Sequence, residues 1–336
     1  MQTDLLQEAR LQSEICNACR YCEGYCSVFP ALHQERFFSD ANLTQLANLC
    51  HNCRGCYYAC QYTAPHEFDL NLPKALAEVR QDSWESFAWP GPIARLFQKS
   101  GVMIALATVV GFAALFMVMR LIGSAGGDGF YAVLSHSVMV AIFLPAFLLP
   151  LVSIGISLNR YWCAVDGQQI TLAQVVGAFG SAAKLRNLAG GHGDGCNFED
   201  EDRFSQARRF AHQAVMYGFL LCFASTSVGT IMHYVFDVPA PYPFWSLPKL
   251  LGIPGGILMV LGTIELARLK LNADKNLGAA TAWGGEMGFI LLLFLPESST
   301  TTTSRCNTRM AIMRTPNITL PPQDLHIPWP TVTTNN

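Results

Sequence analysis

Four stretches of the chain are long and apolar, with any charges confined to their ends: 101–123, 133–157, 210–236 and 247–270. Each is long enough to cross about 30 Å of hydrocarbon at about 1.5 Å per residue. A single segment inside lipid can satisfy its backbone only as a helix. Buried core helices of a soluble domain are the alternative, but the composition opposes it: 51% of residues are hydrophobic and 14% charged, where a soluble domain carries about 25% charged. The fold class predicted is therefore all-α, with a polytopic transmembrane bundle over 101–295 that includes a loop at 158–209. A fifth apolar stretch, "AWGGEMGFILLLFL" from Ala282, stops after about 14 residues, too few to cross. The bundle reads as four complete spans and a fifth cut short. Residues 296–336 are rich in Thr and Pro without periodicity, which reads as a disordered tail or the product of a shifted reading frame.

The first 80 residues contrast with this apolar remainder: they are polar and hold eight of the twelve cysteines. "CNACRYCEGYC" (16–26) and "CHNCRGCYYAC" (50–60) both read C-x2-C-x2-C-x3-C. Three cysteines so spaced wrap a tight loop over three irons of a [4Fe–4S] cube, and the fourth moves away to a second cube, as in two-cluster ferredoxins. The spacing assigns Cys16, Cys19, Cys22 and Cys60 to one cube, and Cys50, Cys53, Cys56 and Cys26 to the other. Structural zinc also takes thiolates, but it usually pairs two C-x2-C knuckles and makes poor use of a third cysteine three residues on. A two-cluster ferredoxin-like head is predicted over 1–80. An aromatic and basic interfacial linker, with Trp84, Trp89, Arg95 and Lys99, is predicted over 81–100.

The N-terminus has neither the basic nor the apolar region of a secretory signal, and a thiol-rich head suits a reducing compartment. Arg160, Lys184, Arg186, Arg203, Arg208 and Arg209 crowd the 158–209 loop, and Arg268, Lys270 and Lys275 follow the fourth span. The other two inter-span segments carry little basic charge, so the positive-inside rule puts the richer loops and the head in the cytoplasm. The expected location is a bacterial inner membrane, crossed several times, with the lipid bilayer as a partner. A net charge of −2 without a basic tract argues against a nucleic-acid partner.

Ionisable side chains within a span mark function by default, and neutral imidazole is an axial ligand for haem. His212 and His233 are 21 residues apart, roughly 31 Å along one helix, so they belong to opposite membrane faces. His136 opens the antiparallel preceding span, at the level of His233. Those two are candidates to clamp one haem b, and His212 is a candidate nearer the head. Among the loose cysteines, Cys222 reads as packing, and "GGHGDGC" (190–196) as a solvated loop. No nucleophile, general base or substrate pocket is legible, so the chain reads as a carrier without its own substrate site.

The two cysteine runs, "GDGCNFEDEDRFSQARRFAHQAVMYGFLLCFAS" (193–225), "IMHY" (231–234) and "GIPGG" (252–256) together resemble the tricarballylate or citrate utilisation protein B family, from about residue 10 to 295. The resemblance implies a membrane protein with two [4Fe–4S] clusters and haem b. Such a protein takes electrons from an FAD-dependent dehydrogenase of the tricarballylate dehydrogenase type and passes them to the membrane quinone pool. By position it implies the eight cysteines as cluster ligands and His136, His212 and His233 as haem candidates. The family continues through further histidine-bearing membrane helix where this chain becomes Thr- and Pro-rich, and often has a second histidine where Ala211 stands. Other readings are a non-enzymatic iron–sulfur and haem redox sensor, or a subunit of a heterodisulfide-reductase-like or glycolate-oxidase-like complex.

Overall fold

A computed structural model describes residues 2–122, 136–199, 202–238 and 242–293. The expectation for 296–336 therefore lies outside the described residues. Within them the chain is helical, with two isolated β-bridges and no strand. The head contains α1 (Gln2–Cys19), α2 (Val28–Leu32), α3 (Asp40–Leu49), the single turn α4 (Gly55–Tyr58) and α5 (Leu72–Phe87). Four long helices follow: α6 (Gly91–Ile122), α7 (His136–Ala164), α9 (Ala207–Tyr234) and α10 (Leu247–Leu271). A shorter helix, α8 (Leu172–Lys184), joins α7 to α9, and α11 (Trp283–Leu293) ends the described chain.

The head folds around apolar side chains supplied by helix periodicity. Leu43 and Leu46 of α3 and Leu76 and Val79 of α5 each lie three apart, hence on one helix face, and meet Phe29 and Leu32 of α2 in one buried cluster. Local signals start these helices. Ser39 caps α3, its hydroxyl accepting from the Asn42 amide at 3.2 Å, and Asn71 caps α5, accepting from the Lys74 amide at 3.2 Å. Both are preferred N-cap residues, and Pro73 stands in the first turn of α5, where a missing amide hydrogen costs nothing.

The helix that sequence places at 72–81 runs on to Phe87. Its extension uses the aromatic residues that suggested an interfacial linker. The Trp84 indole donates to the Asn48 side chain at 2.8 Å, and the Phe87 ring meets Tyr161 of α7 edge-on at 5.9 Å. The Trp89 amide donates to the Ser157 hydroxyl at 3.1 Å, and the Ser153 hydroxyl donates to the Trp89 carbonyl. These contacts fix the C-terminal half of α7 beside the head.

The lipid-length prediction holds for all four spans: the apolar helices are 25, 28, 28 and 25 residues long. The first helix starts at Gly91 and breaks at Ser100 (φ −134°, ψ 28°). A Ser–Gly pair is a usual kink site, and here Gly101 carries the tightest part of it. A Cβ on Gly101 would meet the Gly284 carbonyl of α11 at 2.7 Å, so α11 lies directly against the kink.

Without a hydrophobic force between helices in lipid, small residues let backbones approach. α9 and α10 pair in this way. A Cβ on Gly255 would meet the Cys222 Sγ at 2.9 Å and the Gly218 carbonyl at 2.9 Å, and one on Gly262 would meet the Ala211 carbonyl at 2.8 Å. Cys222 therefore packs against α10. Gly255→Val should force this hairpin apart at a cost of about 1–3 kcal/mol or more, read as a lower unfolding temperature of the detergent-solubilised protein. Gly111→Val, with open space around it, should leave that temperature in place.

Candidate functional site

Each cysteine run builds its loop from left-handed backbone. Arg20 (φ 58°), Asn52 (φ 49°) and Arg54 (φ 66°) interrupt the runs between successive cysteines. Asn tolerates this region better than most residues, whereas for Arg it costs about 1–2 kcal/mol. These reversals turn successive thiols inward instead of letting a helix carry them around its axis.

The result is two cavities. Cys16, Cys19, Cys22 and Cys60 line one, together with Tyr21, Gln61, Tyr62 and Leu70. Cys26, Cys50, Cys53 and Cys56 line the other, with His51, Asn52, Arg54 and Asn187. The fourth cysteine of each run thus sits with the first three of the other run. Phe29 lines both cavities, so they share a wall.

The electrostatics follow the same partition. Burial, then Cys60, Cys22 and Cys19 in that order, pushes the Cys16 thiol up to about 12, and burial, Cys60 and Cys19 push Cys22 up to about 11. Cys26 shares a hydrogen bond with Cys53, which raises the Cys26 thiol, and the same bond lowers Cys53 to about 6. Crowded thiols this costly to ionise together call for bound positive charge. Backbone amides also address the sulfurs: Asn52 N lies 3.4 Å from Cys50 Sγ, and Tyr62 N lies 3.4 Å from Cys60 Sγ.

Among the described residues no three His, Cys, Asp or Glu side chains close on a single metal ion. The thiols instead ring each cavity in fours. That arrangement fits a four-iron cube with one thiolate per iron better than one tetrahedral zinc.

The two cavities differ in their surroundings. The Cys16 set belongs wholly to the head, and Tyr21 on its rim is 66% exposed. The loop that carries the Cys50 set is held by segments from the membrane part. The Asn197 amide donates to the Cys53 carbonyl at 2.8 Å. Arg208, at the start of α9, donates to the carbonyls of His51 (2.7 Å) and Asn52 (3.0 Å). The Asn52 side chain donates to the Leu277 carbonyl beyond α10 at 3.0 Å. Arg80 of α5 donates to the Cys50 carbonyl, and Arg54 to Phe198 O at 2.9 Å.

Sequence reasoning missed this clasp. Arg208 counts there only toward loop charge, because nothing local links it to a residue 156 positions away. The segment 190–196, expected to be solvated, is exposed at 191–194 and anchored to the head: the Gly191 amide donates to the Tyr25 carbonyl at 2.7 Å, His192 meets the Tyr25 ring edge-on at 5.7 Å, and Cys196 is buried. Its glycines, some with positive φ (Gly190 75°, Gly193 84°, Gly195 106°), permit the approach. A Cβ on Gly191 would lie 1.8 Å from the Gly24 carbonyl.

The histidines divide by level. His212, one helical turn after Arg208, lies beside His51 and Arg208, next to the Cys50 cavity. His233 is near the far end of the same helix, half-buried, with its ring edge-on to Tyr234 at 4.9 Å. His136 begins α7, whose other end is the one held beside the head, so its backbone shares the far level with His233; its side chain is not among the described ones. The apolar side chains of α7 and α9 are largely exposed, and the two helices meet at the stacked pair Phe147–Phe223, 6.3 Å between ring centres. His212 and His233 are the histidines of these helices with described side chains, and imidazole is the ligand chemistry that haem iron takes.

The comparisons with known proteins agree with this layout. The family described as "Citrate utilization protein B" matches residues 93–304, and its "Fer4-like domain" matches residues 9–85. "Citrate utilization protein B" of Escherichia coli is 42% identical over 288 residues, covering 84% of this chain and 76% of that protein. No solved structure matches the chain. With more than half of its length matched by the family and this identity sustained across head and spans, the chain belongs to the citrate utilization protein B family.

Proposed function

We propose that this protein is a membrane electron carrier that reoxidises the FAD of a partner dehydrogenase, of the tricarballylate dehydrogenase type, and delivers the electrons to quinone. The observation that supports it most is the pair of adjoining four-thiol cavities, one rimmed by solvent and the other clasped by the start of a membrane helix. Two [4Fe–4S] clusters held by Cys16, Cys19, Cys22, Cys60 and by Cys26, Cys50, Cys53, Cys56, with haem b at His212 and at the level of His136 and His233, would supply one-electron steps between two two-electron reactants.

The balance is simple. Reduced FAD on the partner gives up two electrons and two protons, and a quinone in the bilayer takes up two of each to become quinol. This chain's residues separate the two events. The Cys16 set is open to a soluble donor at the exposed rim around Tyr21. The Cys50 set, its loop held by Asn197, Arg208 and Leu277, adjoins His212 at the head of α9. The basic loops on the head side, with Arg160, Arg186 and Arg203, support a cytoplasmic head in a bacterial inner membrane.

Optical and EPR spectra of purified membranes, taken before and after adding the reduced partner, test this reading. Cluster and haem signals should both reduce, followed by oxidation when quinone is supplied. Clusters that reduce while haem does not, or a protein without cluster signals, would remove the carrier role. Reduction without quinone-linked turnover would favour a redox sensor.

A further inference from the structure

The two cavities sit in unlike electrostatic environments. Arg54, Arg80 and Arg208 converge on the Cys50 cavity from three separate elements: the second cysteine loop, α5 and α9. Arg54 lines the cavity wall and is buried, 3% exposed. Arg80 donates to the Cys50 carbonyl, and Arg208 donates to the carbonyls of His51 and Asn52. The guanidinium groups of Arg54 and Arg208 both stack on the Phe198 ring, at 4.7 and 4.1 Å from its centre. The acceptors of these hydrogen bonds are neutral oxygens, so they leave the positive charge in place. Asp274 and Glu286 are the acidic groups that act on this cluster, and the Glu286 carboxylate is also paired with Lys270.

The Cys16 cavity has a different neighbour. Arg20, between Cys19 and Cys22, is exposed and donates to the Asn17 carbonyl at 3.1 Å. Solvent screens such a charge far more than it screens a buried one.

We infer that Arg54, Arg80 and Arg208 make the Cys26, Cys50, Cys53 and Cys56 site the more oxidising of the two, so that electrons run downhill from the solvent side to the membrane side. The inference rests on the reading that each cavity holds a cluster. Reduction adds one negative charge to a cluster, and fixed positive charge beside it stabilises that reduced form. Net charge, hydrogen bonds to sulfur and solvent exposure set such potentials; burial of the Cys50 set disfavours the more negative reduced form, and the three guanidinium charges, little screened there, outweigh it. The arginines act on the site through its field and its backbone, and are positioning residues, not ligands.

An EPR-monitored redox titration of the full-length, detergent-solubilised protein tests this. The native protein should show two separate reduction waves, the more positive one belonging to the set altered by Cys26→Ser. Arg208→Gln and Arg80→Gln should each move that wave to lower potential and leave the other in place, and Arg208→Lys should retain most of the native position. Coincident waves, a reversed order, or a shift of the Cys16-set wave instead would overturn the inference. Iron and sulfide content separates this from failure of the parent reading: about eight of each per chain is required for two cubes. A lower content sinks both, whereas full content with unmoved potentials sinks only the arginine role.

Discussion

Under the proposed function, Cys26→Ser should abolish the native spectrum of a cluster held by Cys50, Cys53 and Cys56, although Cys26 belongs to the other run. Cys60→Ser should do the same to the cluster held by Cys16, Cys19 and Cys22. The reason is the shape of the two cavities, in which each fourth cysteine has crossed to the opposite set. A ligand change removes one of four bonds to iron. Altering a partner that merely orients a ligand already costs about 10–100-fold in metal affinity or activity, so under the proposed function electron transfer through the chain should fall by at least that much in either variant. EPR of each single mutant, with the unaffected cluster as internal reference, distinguishes crossed from contiguous ligation. Loss of a Cys16-set signal on mutating Cys26 would contradict the crossed arrangement.

Leu43→Ala should strongly destabilise the head. Leu43 is fully buried in the head's apolar cluster, between α3 and its neighbours. Truncating a buried leucine costs about 2–5 kcal/mol, partly as lost transfer energy and partly as a cavity. A domain has about 5–15 kcal/mol in total, so the head would lose a large fraction of its stability. Denaturant titration followed by the visible absorbance of the clusters should show a lower midpoint, while far-UV dichroism shows the long helices retained. Leu11→Ala, on the same head but 54% exposed, should stay within about 0.5 kcal/mol of the native protein. Equal midpoints for both variants would mean that the α3–α5 core does not hold the cysteine loops.

The aromatic residues between Trp84 and Trp89 show where local reading reaches its limit. Their composition suits a membrane interface, and sequence places a linker there. There α5 continues to Phe87, the Trp84 indole and the Phe87 ring meet Asn48 and Tyr161, and the Trp89 backbone pairs with Ser153 and Ser157. Amphipathic aromatics serve an interface and a helix junction equally well, so composition could not choose between them. Gly101 is similar: it reads as an ordinary first residue of a span, and its role emerges only when Gly284 comes to lie against it.

Features that depend on short separations were legible in the chain before any folding was considered. Span length is a count of apolar residues against a fixed hydrocarbon thickness. The crossed sharing of thiols follows from a loop that can wrap only three cysteines before the fourth swings away. Which cluster site faces solvent and which faces the membrane is instead a matter of tertiary contacts. Asn197, Arg208 and Leu277 make that choice, brought onto Cys53, His51 and Asn52 from far along the chain. The same folding gathers Arg54, Arg80 and Arg208 around one cavity alone. No spacing rule reports such a meeting, because it depends on where the bundle ends hold their loops and not on what lies nearby in the sequence.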